Sequence, residues 1–147
     1  VNLKDWDAVA MLLGREPRCS FEVAVRTATG APRVIKNYPL LFDGTPMPTL
    51  YWLVDPADTR RIAQLESKGG VRQAEAAVAP DVLAQAHLAY ARARDSQLPR
   101  GYQGLRPSGG VGGCAVGVKC LHAHYAWLLA GGDDPVGRWA QTQLAAG

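Results

Sequence analysis

The chain has 147 residues, 48% apolar and 20% charged, a composition that fits one globular domain over 1–147 and excludes a disordered chain. Sixteen basic residues against thirteen acidic ones leave a net charge of +3, too small to mark a nucleic-acid binder. No run approaches the ~18 apolar residues of a membrane span. Lys4, Asp5 and Asp7 interrupt any leader-like start. The expectation is a cytoplasmic protein with no membrane partner, its three cysteines (Cys19, Cys114 and Cys120) reduced.

Leu3, Trp6, Val9, Ala10 and Leu13 recur at helical spacing, and Gly14 and Pro17 end that helix. Phe21, Val23 and Val25 alternate with Glu22, Ala24 and Arg26 as a strand, and Thr29–Pro32 turns the chain into a second strand over Arg33–Asn37. After a Pro- and Gly-punctuated loop, Thr49–Val54 has little polar alternation and reads as a buried central strand. Asp55 and Pro56 cap and open a helix that Gly69-Gly70 closes. Val71–Val78 predicts a short helix. Asp81 to about Gln97 predicts a long alanine-rich one with Val82, Leu83, Ala86, Ala89, Tyr90 and Ala93 facing inward and His87 on the surface or in a groove. Pro99–Gly117 is a loop of unusual length, a kind that is often functional. Helices follow over Val118 to about Ala130 and from Asp134-Pro135 to Leu144. Strands early and helices late predict an α+β fold: a small antiparallel or mixed sheet from the N-terminal half packed against the C-terminal helices.

Chemistry concentrates late in the chain. Ser108-Gly109-Gly110-Val111-Gly112-Gly113 leads to a helix opening that carries Lys119, Cys120 and His122. Unpaired N–H groups at such an opening attract anions, and Lys119 and Arg106 add full charge. The stretch from Arg92 to Lys119 holds Arg92, Arg94, Arg100, Arg106 and Lys119 against Asp95 alone. Neither a P-loop ending nor a dinucleotide fingerprint is present. Cys120 in a first helical turn suits a thiolate, as nucleophile or metal ligand. At 100° per residue Cys120 shares a flank with His124 and points away from His122. A zinc-like ion accepts sulfur, nitrogen and oxygen ligands, so Cys19, Asp55, Cys120 and His122 form a candidate set if folding unites them.

Pro17-Arg18-Cys19, Val34-Ile35, Asp43–Leu53 with its TPMPTLYWL core, Leu65-Glu66, Gly110–Gly113, Val118–His122 and Asp134–Gly137 together resemble the bacterial family DUF501 over nearly the whole chain. The resemblance implies a single-domain bacterial cytoplasmic protein and assigns no reaction. Many relatives carry a cysteine at the position of Asp55, and some carry another shortly after that of Cys19, where Ser20 and Phe21 stand here. Cys19, Lys119, Cys120 and His122 match the family pattern.

Three functions stay open from sequence. The first, and the leading one, is binding of a small anionic ligand, phosphorylated molecules included, at Arg106, Gly109, Gly110, Gly112, Gly113 and Lys119. A second is metal- or thiol-dependent catalysis, with Cys120 and His122 as the reacting pair and zinc or another metal held by Cys19, Asp55, Cys120 and His122. The third is a non-catalytic module for a protein partner.

Overall fold

The computed structural model describes residues 2–147. Helix α1 (Leu3–Leu13) begins where the Asn2 side chain accepts the Asp5 N–H and ends where Gly14 turns left-handed. Strands β1 (Phe21–Arg26) and β2 (Pro32–Asn37) form the expected hairpin, with Phe21 opposite Asn37 and Val23 opposite Ile35. Strand β3 (Tyr51–Leu53) adds antiparallel along the other side of β2, Lys36 opposite Tyr51 and Val34 opposite Leu53. The sheet order is therefore β1-β2-β3.

The segment predicted as a central strand is thus an edge, and β2 holds the centre. Its apolar run has a different cause: α5 (Leu121–Leu129) lies against β3 and keeps water off it. Val34 and Ile35 are consecutive in β2, so they face opposite sides of the sheet. Ile35 packs with Val9 of α1, Phe21 and Val54. Val34 meets Leu53, then Ile62 of α2 (Pro56–Ser67), Ala74 of α3 (Gly70–Ala77), Leu83 of α4 (Pro80–Asp95), Leu121 and Tyr125 of α5, and Val136 and Ala140 of α6 (Pro135–Ala146). The fold is one α+β domain with a three-stranded sheet between α1 and a layer of five helices. Among the described residues no helix is long and apolar enough to cross a membrane.

Helix α4 is rotated from the face its apolar residues suggest. Leu83, Ala86, His87, Tyr90 and Arg94 are buried, while Val82, Ala89 and Ala93 are exposed. His87 is therefore interior, not a surface or groove residue. The rotation is stable because His87, Tyr90 and Arg94 each meet hydrogen-bond partners. The Tyr90 hydroxyl accepts the N–H groups of Leu50 at 2.6 Å and Tyr51 at 3.1 Å, tying α4 to the start of β3. His87 and Arg94 take up backbone groups of the long loop. Buried polar groups cost little once so satisfied.

Candidate metal centre

The glycine loop is organised by α4. His87 Nδ1 accepts the Val111 N–H at 3.0 Å, so Nε2 carries the ring proton and donates to Gly117 O at 2.8 Å. Arg94 donates from Nη1 to the carbonyls of Pro48, Ser108 and Gly109. Two glycines let the backbone lie this close. A Cβ on Gly110 would stand 2.5 Å from the His87 Cβ, and one on Gly109, whose φ is +73°, would stand 2.3 Å from Gly113 O. Close packing accounts for both.

The helix that follows opens at Leu121 rather than Val118, with Cys120 as its extended N-cap at φ −152° and ψ 160°. The chain's own carboxylates occupy the donors expected to attract an anion. Glu75 accepts the Val118 N–H at 2.8 Å, and Glu66, in the last turn of α2, accepts the Leu121 N–H at 2.7 Å. Because Cys120 is not helical, the 100° rule misplaces its side chain. Cys120 and His122 converge instead of pointing apart. Together with Glu66 they bring sulfur, ring nitrogen and carboxylate oxygen all within 4.8 Å of one another. His122 Nδ1 lies 3.2 Å from Glu66 Oε2. The His122 and Glu66 side chains keep 34% and 23% of their exposure, so water reaches the cluster.

Burial alone pushes the Cys120 thiol up, but the His122 ring and the Ala123 backbone N–H outweigh it and hold the thiol below its ordinary value. His122 is raised by the same sulfur against its own burial, with the Glu66 charge assisting. Cys19 and Cys114 go the opposite way, since burial raises both. Cys120 is thus the one thiol of the three poised to lose its proton easily.

The other predicted ligands stay apart from this cluster. Cys19 is buried with its thiol on the Asn37 side chain, whereas the Asp55 N–H reaches Arg33 O. Asn37 and Arg33 are opposite ends of β2, so the strand register separates Cys19 from Asp55. Asp55 is committed as the N-cap of α2, accepting the Asp58 N–H at 3.0 Å. Glu66, eleven residues further along that helix and so about 16 Å away, holds the place at the cluster that the sequence reading gave to Asp55. Its signal in the sequence was the Leu65-Glu66 pair within the family-like pattern. Lys119 is exposed, and Arg106 is exposed over the Tyr102 ring with its guanidinium donating to Tyr102 O. Neither lines the hollow to which the loop's glycines contribute. Of these, Gly109 and Gly110 line one hollow beside α4. His124, on the far side of α5, is buried against Asp134 at 2.6 Å, and its Nε2 has no partner.

The family model DUF501, described as a protein of unknown function, matches residues 23–142. No curated protein and no solved structure matches the chain.

Proposed function

The chain belongs to the DUF501 family, and we propose that it is a metalloprotein in which Cys120, His122 and Glu66 hold one zinc-like divalent cation. The observation that carries this reading is the convergence of one sulfur, one nitrogen and one carboxylate within 4.8 Å. A tetrahedral ion with bonds of ~2.0–2.3 Å spans donors roughly 3.3–3.7 Å apart, close to the 3.2 Å between His122 Nδ1 and Glu66 Oε2. The ligand set mixes soft sulfur with borderline nitrogen and hard oxygen, which suits zinc. The lowered Cys120 thiol favours the thiolate a metal requires. The Leu121 N–H fixes the carboxylate, as supporting hydrogen bonds do around metal ligands.

Three protein ligands leave one position for water or a small anion, the arrangement of catalytic rather than closed structural sites. An anionic ligand would then be held by the metal and not by the helix opening, where Glu66 and Glu75 already sit. A cysteine nucleophile acting alone is less well supported. It needs an adjoining substrate hollow, and Cys120 lines none of the hollows along α4, beside α6 or by the Arg15–Arg18 turn.

Elemental analysis of tag-free protein, followed by cobalt(II) replacement, tests the proposal. It expects one metal per chain and a thiolate-to-cobalt absorption band that Cys120→Ser removes. Protein that is metal-free as purified, and that gives no such band when cobalt is added, sinks it.

A further inference from the structure

Between α4 and the 107–110 turn lies a hollow of about 470 Å³, within the ~300–1,000 Å³ range of small-molecule sites. Its apolar walls include Ala84, Leu88, Ala91 and Pro107. A second hollow of about 180 Å³ adjoins it, sharing Ala84, His87 and Ala115, so the space is elongated along the helix.

Arg94 lines this space and is only 1% exposed. Its Nε donates to Asp95 at 2.9 Å. Its Nη1 donates to Pro48 O at 3.1 Å, Ser108 O at 3.4 Å and Gly109 O at 3.0 Å. Among the described residues Nη2 has no partner. His87 also lines the hollow, but both its nitrogens are committed to loop backbone. The donor left free on this nearly buried side chain is therefore Arg94 Nη2.

The charge of that donor is already balanced. Asp95 and three carbonyl oxygens face the guanidinium, and the C-terminal end of α4 adds partial negative charge beside it. A second anion would meet all of these, whereas a neutral acceptor meets none of that repulsion. We propose that this hollow binds a small, neutral, largely apolar molecule. A carbonyl oxygen of the ligand accepts from Arg94 Nη2, and its apolar body lies against Ala84, Leu88 and Ala91. The site is separate from the Glu66–Cys120–His122 cluster and does not depend on the metal.

The probe is N-benzylacetamide, titrated into ¹⁵N-labelled full-length protein, with 3-phenylpropanoate as its anionic counterpart. The proposal expects saturable shifts of the Gly109, Gly110 and Ala91 amide signals with the amide, and binding at least about tenfold weaker for the carboxylate. Ala91→Phe fills the hollow and should abolish the shifts. Ala84→Phe fills it from the other end and serves if the first variant loses its native spectrum. Absence of saturable shifts, shifts that persist in a folded filled variant, or tighter binding of the carboxylate would each overturn it.

Discussion

The carboxylate of Glu66 lies 3.2 Å from His122 Nδ1, across 56 residues of chain. The same carboxylate accepts the Leu121 N–H, so one side chain both starts α5 and completes the candidate metal centre. These two roles separate under substitution. Glu66→Ala should lower stability by roughly 1–2 kcal/mol, because the Leu121 N–H loses its acceptor. Glu66→Gln keeps an acceptor and should cost less than half of that, yet it should weaken metal binding about as much as Glu66→Ala, because a neutral amide is a poor zinc ligand. Thermal melts of the metal-free proteins and zinc titrations check the two effects independently.

Thiol reactivity should distinguish the three cysteines. His122 holds the Cys120 thiol below its ordinary value while burial raises Cys19 and Cys114. In chelator-treated protein, iodoacetamide should modify Cys120 first and at a lower pH than the other two. His122→Ala should move the onset of Cys120 alkylation to higher pH, because the neighbour that favours the thiolate is gone. Mass mapping of the alkylated peptide against pH gives the answer.

Tyr90 sets an alkaline limit to stability. Burial pushes its hydroxyl up to about 12, against the two N–H groups it accepts from Leu50 and Tyr51. A folded-state value raised above the unfolded one near ~10 gives stability that is full below pH ~10 and is lost as pH climbs toward 12. The loss should approach ~3 kcal/mol. Tyr90→Phe should remove this alkaline dependence while costing roughly 2–3 kcal/mol at neutral pH, since two buried N–H groups lose their acceptor. Denaturant titrations at pH 7, 9 and 11 measure both.

The glycines of the loop serve packing, so their substitution should register as stability. Gly110→Ala drives a methyl into the His87 Cβ at 2.5 Å, with backbone on both sides of the clash. Gly101→Ala has a φ of +75° and open space around it, so only backbone strain of ~1 kcal/mol applies. Gly110→Ala should cost at least twice as much. Equal melting temperatures for the two variants would contradict the packing role.

Arg94 should prove the main tether of residues 107–110. Arg94→Met keeps much of the volume but leaves the carbonyls of Pro48, Ser108 and Gly109 without their shared donor. A loss of about 2–4 kcal/mol is expected, together with faster amide exchange across the loop. Unchanged exchange there would show that His87 alone holds it.

Local chemistry in the sequence determined much of this protein. Asn2 and Gly14 bound α1, Asp55-Pro56 and Asp134-Pro135 open α2 and α6, and the alternation around Phe21 and Val23 marks the hairpin, because caps, turns and period-two burial are written in neighbouring residues. Cys120 and His122 were legible as candidate site residues because they stand at the helix opening that follows the glycine run. Tertiary structure decided which way α4 faces, since the alanines of that helix give its apolar stripe little contrast and the partners of His87 and Arg94 lie in a distant loop. It also decided that Cys120 is a cap and not a helical residue, which brings it to His122, and that Glu66 joins them in place of Cys19 and Asp55. Those outcomes depend on strand register and on where α2 ends against α5, contacts between segments far apart in the chain that no local pattern encodes.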